Sequence, residues 1–398
     1  MKKLILFVLL SATLWSCDNY FGEKTDLSFI EVPTYSNRDI AYVPIEPSFR
    51  GFVRPTNITI GFDELIYIVD EGTQEIVCYD EAANEQGRFF IPGLTYVTQD
   101  RKLNLLAIGT YDTIVNGVNY SLSTIYRINQ YSALGYGLNS ATIENAIVHP
   151  FYFKNSFNLS DADVTFNNIS ILGNEIDPAR NNQYYVSRQG PSTNNANQGP
   201  DNAIILFTNK DEYLSPIPVT TSGGLFNDYF KDPHGITTWC KPPQLGANTS
   251  PDFLYTSLDP SNLLKVQYIE FIEGEFGAEY RPVIFPVNDP LATGFLYTPG
   301  KFEDPKGITV AGDETRYIFV TDAAKDSVYQ FTSNGLEGIP PPPGSDDKVY
   351  QKASFGGTGT GPTQFNEPMG IAYFNEILYV ADAGNGRILR FKLTLDFD

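Results

Sequence analysis

The chain has 398 residues, 42 % hydrophobic and 14 % aromatic, with 27 Lys and Arg against 47 Asp and Glu for a net charge of −20. That length is ample for one large all-β domain with a sizeable core. So acidic a chain, with no basic stripe and no aromatic–basic interleaving, argues against nucleic acid or anionic lipid as partners, because phosphate binding relies on Lys and Arg.

Met1-Lys2-Lys3 is a basic start, Leu4 to Leu10 is an uninterrupted apolar run, and Leu14-Trp15-Ser16-Cys17 follows. Charge, length and small residues mark 1–16 as a signal peptide, too short to span a bilayer. The Leu-x-Ser-Cys ending resembles a bacterial lipobox. The resemblance implies cleavage before Cys17 and acylation of its thiol, with palmitate among the chains. Loss of the leader removes Lys2 and Lys3, leaving 25 basic residues against 47 acidic ones and a net charge of −22. More than one acyl chain is needed for a stable anchor, and a lipoprotein's several chains meet that need. Residues 17–28 then form the lipidated Cys and a polar tether, and 29–398 the folded domain. Asp18, Glu23 and Asp26 resemble export signals of surface lipoproteins, although Asp directly after the Cys resembles an inner-membrane retention signal in other Gram-negative bacteria. The expected location is the outer membrane, lipid-anchored at the cell surface.

The next strand-like run, Asp39 to Ile45, stands alone. Pro55 to Tyr79 is the first complete repeat: apolar strand, Asp70, polar turn, apolar strand. Two degenerate units follow, one containing Leu103–Thr110 and Thr124–Ile128, the other Asn168–Leu172, Tyr184–Arg188 and Ala203–Phe207. A fourth opens at Asp232-Pro233-His234-Gly235-Ile236. The last two, Phe302–Phe331 and Phe365–Phe391, share Pro-x-Gly-Ile, a strand ending in Asp, a turn, and a strand closing on Phe. Pro precedes Asp by 15, 17 and 14 positions in the first, fifth and sixth copies. A unit that recurs with its turn residues in place cannot bury its apolar face alone, so copies must stack. Six copies predict a six-bladed β-propeller. Pro233 to Pro305 spans 72 residues and Pro305 to Pro368 spans 63, well above the roughly 40–45 of WD40-type blades, which predicts long inter-strand loops. Only seven residues follow Phe391, so Asp39–Ile45 is expected to supply the outer strand of the last blade and close the ring.

The units resemble NHL repeats, a family of six-bladed propellers. The last copy matches that pattern at Pro368, Gly370, Ile371, Tyr379, Val380, Ala381, Asp382, Asn385, Arg387 and Ile388. The fifth keeps Pro305, Gly307, Ile308, Val320 and Asp322; the first keeps Asp70 and Ile76 without the Pro-x-Gly. In this pattern Gly is expected to permit an unusual dihedral. Asp70, Asp322 and Asp382 are expected to fix the following turn, and Arg387 to cover the neighbouring blade with its stem. Cys78 and Cys240 fall in blades across the ring from each other and read as buried fillers, not as a disulfide.

Chemistry is sparse. The enzymatic NHL relative, the amidating lyase, resembles a zinc site built from several histidines, but this chain has only His149 and His234, and catalytic zinc wants three protein ligands. Calcium-dependent propeller hydrolases use channel-facing carboxylates; Asp232, Glu303, Asp304 and Glu367 stand at blade starts, with no spacing that binds them into one site. No catalytic, cofactor-binding or metal residue is therefore assigned, though structural calcium stays open. His234, Lys306 and Met369 occupy the variable position between Pro and Gly and are candidate channel-mouth residues. Candidate partner-binding loops carry Asn181, Arg188, Asn194 and Asn195, then Pro340, Pro343 and Asp346. Tyr111, Tyr131 and Tyr136 could form a sugar-binding platform. The leading expectation is a non-enzymatic, surface-exposed scaffold for an outer-membrane transport, secretion or assembly complex. A glycan-binding lipoprotein for nutrient capture comes second and a calcium-dependent hydrolase third.

Overall fold

The computed structural model describes residues 41–133, 135–191, 201–243, 250–274, 277–285, 289–341 and 348–395. Six of the sheets among the described residues, each built on four antiparallel strands, are set around one axis as a six-bladed β-propeller, and Tyr131–Ser132 with Gly135–Tyr136 forms a separate two-stranded ribbon. Blade 1 runs, from axis to rim, Pro55–Ile60, Ile66–Asp70, Glu75–Tyr79 and Glu85–Phe90. Blade 2 comprises Tyr96–Gln99, Leu105–Val115, Val118–Asn129 and Thr142–Val148. Blade 3 comprises Thr165–Ile171, Tyr184–Gln189, Ala203–Phe207 and Tyr213–Pro216. Blade 4 has Pro233–Thr238, Phe253–Ser257, Val266–Gly274 and Gly277–Pro282. Blade 5 has Pro305–Val310, Ile318–Asp322, Ser327–Phe331 and Leu336–Glu337.

Blade 6 joins the two ends of the described chain. Pro368–Phe374, Ile377–Asp382 and Arg387–Leu393 are followed at the rim by Tyr42–Arg50, which pairs antiparallel with the last strand from Tyr42↔Leu393 to Arg50↔Arg387. This strand lies further along the chain than the run Asp39–Ile45 read from sequence; residues 1–40, with the signal peptide and Cys17, are outside the described residues.

Each pair of neighbouring blades encloses its own apolar core. Ile58, Ile68 and Val77 of blade 1 pack on Phe374, Tyr379 and Ile388 of blade 6. Phe319 and Val328 of blade 5 pack on Leu378, Val380 and Phe391 of blade 6. Middle strands therefore bury both faces and read as unbroken apolar runs, as in Ile66–Asp70 and Ile318–Asp322.

The extra length does not all lie in loops within blades. Val219–Thr221, between blades 3 and 4, joins the rim of blade 4 through a parallel bridge, Val219↔Tyr280, and pairs with Gly224–Phe226. Gly294–Phe295 pairs with the outer strand of blade 5, and Phe355–Gly356 with Ser327–Val328. These connections cover edges that would otherwise offer unpaired backbone.

The repeat's conserved-looking residues turn out to serve joints between segments. The glycines of Pro-x-Gly do not need a left-handed backbone. A Cβ at Gly307 would lie 2.2 Å from the Met369 carbonyl oxygen, and one at Gly370 would lie 2.7 Å from Asn57 Cα. Gly is present because the next inner strand approaches too closely for any side chain. The aspartates clamp the segment entering the blade as well as the following turn, where Asp322 accepts from Lys325 N at 3.3 Å and Asp382 from Asn385 Nδ2 at 2.9 Å. Asp70 accepts from Val53 N and Arg54 N at 3.0 and 2.8 Å, and Asp322 from Glu303 N and Asp304 N at 2.7 and 3.0 Å. Arg387 does not cover a blade. Its guanidinium is buried against Asp382 (2.7 Å) and donates to the carbonyls of Thr360, Gly361 and Gln364, fastening the loop ahead of blade 6.

Two substitutions test these joints by urea denaturation. Gly307→Ala forces overpacking and is expected to cost about 1–3 kcal/mol, whereas Gly274→Ala, whose Cβ would meet nothing nearer than 3.9 Å among the described residues, leaves the midpoint unchanged. Arg387→Met strips a buried carboxylate of its cation and is expected to cost about 3–5 kcal/mol.

Candidate functional site: the axial cavity

Five of the six inner strands carry a register shift near their start: Pro55/Asn57, Phe166/Asn168, Pro233/Ile236, Pro305/Gly307 and Pro368/Ile371. A bulge leaves one residue out of the ladder and re-aims it. Thr56, Asn167, His234, Lys306 and Met369 fall at these bulges, and Thr95 takes the matching place in blade 2. All six line one axial cavity of about 360 Å³.

The ring is uneven. Gly235, Gly307 and Gly370 leave bare backbone on one half, whereas Asn57, Tyr96 and Asn168 occupy the equivalent positions on the other. Asn57 Oδ1 accepts from Val97 N at 3.1 Å, and Asn167 Nδ2 donates to the Pro233 carbonyl at 2.9 Å. Hydroxyls of the second strands brace the bulges from behind. Thr321 accepts from Gly307 N and donates to the Met369 carbonyl (2.9 and 2.8 Å); Ser187 donates to the His234 carbonyl at 2.6 Å. Each brace ties a blade to the next, so the lining is held before any ligand arrives. Further along the axis the wall is Thr59, Ile60, Thr309, Ala372 and Tyr373, then Lys241 and Pro242.

The charges on this wall are few. Burial, and then the positive Lys306, push the His234 imidazole down to about 3, so it is neutral at physiological pH. Lys306 pairs with Asp304 at 3.2 Å. At the same mouth Arg54 grips Glu367 through both terminal nitrogens (3.0 and 2.8 Å), reaches Glu71 at 3.2 Å, and lies 3.7 Å from Met369 Sδ. Burial pushes the Lys241 ammonium down to about 8. The carboxylates considered for calcium do not converge: Glu367 belongs to Arg54 and Asp304 to Lys306. Among the described residues no three His, Cys, Asp or Glu side chains are placed to hold a metal ion.

The structure thus brings His234, Lys306 and Met369 together in one cavity. The loop candidates fare differently. Arg188 is a buried strand residue, donating to Tyr152 Oη at 3.2 Å and lying over the Phe153 ring, so it offers no surface to a partner. Asn181 is half-buried and engaged, its side-chain oxygen accepting from Arg101 Nη1 (2.9 Å) and Asn174 N (3.2 Å). Pro340 is exposed. Asn194, Asn195, Pro343 and Asp346 lie outside the described residues. The three tyrosines form no common platform. Tyr111 pairs opposite Leu122, and Tyr131 follows the other end of that strand, about 20 Å or more away at 3.3 Å per residue. Tyr136 is committed to a network in which it, Tyr67 (2.6 Å) and Gln99 (2.8 Å) all donate to Asp63. Cys78 and Cys240 are both buried, and no disulfide joins them.

Sequence reasoning missed Thr56, Thr95, Asn167 and Lys241. The first three sit in repeats without the Pro-x-Gly marker, and Lys241 lies past the end of its inner strand.

These features define the class: a six-bladed β-propeller with a polar axial cavity. No family model matches the sequence, and no curated protein does. Among solved structures the chain resembles virginiamycin B lyase from Staphylococcus aureus (13 % identity over 88 % of this chain and 99 % of that one, TM-score 0.45). It also resembles an auxiliary nutrient binding protein from Bacteroides thetaiotaomicron (10 %, 86 % and 70 %, 0.49) and the PQQ-bound aldose sugar dehydrogenase of Streptomyces coelicolor (10 %, 89 % and 98 %, 0.50). The likeness is one of fold. A fold does not by itself specify an activity.

The histidines give a test in acid. His149, buried beside Asp161 at 3.3 Å, is pushed down to about 4 by burial and by the nearby Arg188. Both imidazoles bind protons more weakly in the folded than in the unfolded chain, so their contribution to stability is complete above about pH 6.5 and falls as acid is added. Neither Hε1 resonance is expected to titrate between pH 8 and 5 by NMR, and Tm is expected to drop below pH 6, less steeply in His149→Gln.

Proposed function

We propose that the protein is a non-catalytic binding lipoprotein of a bacterial outer envelope whose axial cavity receives a small polar ligand. The observation that carries this reading is the convergence of Thr56, Thr95, Asn167, His234 and Lys306 on one cavity. Its volume falls within the roughly 300–1,000 Å³ of small-molecule sites. The carbonyls of His234 and Met369 are braced from neighbouring blades, which lowers the ordering cost of binding there. Small-molecule capture therefore moves ahead of the protein-scaffold reading, two of whose loop residues, Arg188 and Asn181, are occupied within the fold. The wall offers hydroxyl and amide donors beside Tyr96, Phe166 and Tyr373, a mixture that suits a polyhydroxylated compound.

The anchor belongs to the same proposal. Lys2, Lys3, the apolar run and Leu14-Trp15-Ser16-Cys17 support export, cleavage and lipidation, and the NHL-like repeats support the kinship of the ring. Tethering raises the local concentration of the cavity beside membrane partners that would take the ligand onward.

Thermal-shift measurements on the delipidated protein test the cavity, using monosaccharides, oligosaccharides and small carboxylates. A rise in Tm of 2 °C or more is expected for a subset, abolished by Asn167→Leu with Thr56→Val. No shift with any compound, together with a membrane protein co-purifying from detergent extracts, overturns the reading in favour of the scaffold. Labelled palmitate is expected in the wild type and absent from Cys17→Ser.

A further inference from the structure

We propose that the ligand is a small carboxylate-bearing molecule whose charge is met by the ammonium of Lys241, with its hydroxyls reaching Thr59 and Thr309. This rests on the reading of the axial cavity as a small-molecule site. Lys241 follows the inner strand of blade 4 and lines the cavity at the end away from the bulges. Its backbone is pinned beneath blade 5. A Cβ on Gly312 would lie 2.9 Å from the Lys241 carbonyl oxygen and 2.5 Å from that of Pro242. The segment that carries the lysine is therefore held in place.

What sets Lys241 apart is that the other buried or half-buried cations among the described residues have a partner: Arg188 donates to Tyr152 Oη, Arg390, Lys265 and Lys325 donate to the backbone carbonyls of Glu81, Glu303 and Lys301, and others are paired with carboxylates. Arg127 sits between Asp100 and Asp211, both at 2.6 Å, and Lys301 lies 2.6 Å from Glu337. Arg387 has Asp382, Lys306 has Asp304, and Arg54 has Glu367 and Glu71. No carboxylate among the described residues pairs with Lys241, although the chain holds 47 acidic residues. Withdrawing an ammonium from water is costly unless a counter-charge replaces the lost hydration. Its lowered affinity for a proton is the mark of that uncompensated burial, yet the group stays charged at neutral pH. An anion in the cavity supplies the missing partner. Thr59 and Thr309, from inner strands of blades 1 and 5, stand on the wall between Lys241 and the bulges, within the length of a small polyhydroxy acid.

Calorimetry at low salt with matched pairs tests this: glucuronate and glucose, galacturonate and galactose, succinate and succinamide. At least one acid is expected to bind at least tenfold more tightly than its neutral partner. Lys241→Met is expected to remove that preference, Lys241→Arg to keep it within a few-fold, and Lys306→Met to weaken it less. Without ligand, Lys241→Met is expected to match or exceed the wild-type Tm, because it removes an unpaired, half-buried charge. Equal binding of acid and neutral partner, an unchanged preference in Lys241→Met, or a large loss of its Tm overturns the role of Lys241 and leaves the small-ligand reading standing. Binding by no member of any pair overturns both.

Discussion

The near-contact of adjacent inner strands around the axis is the constraint on which the structure depends. At Gly307 and Gly370 the backbone of the following blade occupies the place of a side chain, within 2.2 and 2.7 Å of an added Cβ. Such closeness is useful because it brings the next layer outward, the Ile and Val of the middle strands, into contact across every blade boundary. Six separate cores result, and none can be complete if the strands at the axis are held apart. The three blades with Asn57, Tyr96 and Asn168 in place of Gly reach the same end by another route. There the side chain fills the space, and in Asn57 it also satisfies a backbone N–H of the next blade.

That arrangement explains why the cavity takes the form it does. In five of the six blades a bulge falls where the inner strand diverges from its partner to meet the next blade, and the residue left over turns to the axis. The hydroxyls of Ser187 and Thr321 then lock the leftover residue's carbonyl from the neighbouring blade. Scaffold and site share the same atoms. A residue such as Lys306 or His234 is free to vary because its backbone, not its side chain, does the structural task.

The sequence exposes the parts of this plan that repeat and hides those that do not. Blade 6 can be read from Pro368 to Ile388 because every joint carries its marker residue, and His234, Lys306 and Met369 follow from their position between Pro and Gly. The inner strand of blade 2, only Tyr96–Gln99, has no such marker, so Thr95 went unread. Outer strands were illegible because they alternate weakly at the rim; Glu85–Phe90 is largely exposed. Arg188 sits in a stretch rich in Asn and Gly that reads as surface, yet the blade 3 strand places it beneath Tyr152 and Phe153. The glycines were visible but their reason was not, since close approach of two strands distant in sequence leaves no local trace. Lys241 is the extreme case. It belongs to no repeat, and what distinguishes it is that its ammonium has no hydrogen-bond or ion-pair partner among the described residues.

A net charge of −20 and a cation as the site's focus are compatible, and together they select by size. At physiological ionic strength charges beyond about 8 Å are largely screened, so the acidic exterior opposes mainly ligands that touch much of it at once. A nucleic acid or an anionic bilayer does so. A small acid does not, because it presents one charge and enters the axial cavity. There the interaction with Lys241 is screened far less than on the surface, and the carboxylates that could compete, Glu71, Glu367 and Asp304, are held by Arg54 and Lys306 at the opposite mouth. The ion pairs at that rim thus hold negative charge at the opening and leave the far lysine uncontested. A chain with the same fold but a carboxylate beside Lys241 would have a neutral axis and no electrostatic reason to prefer an acid over its amide.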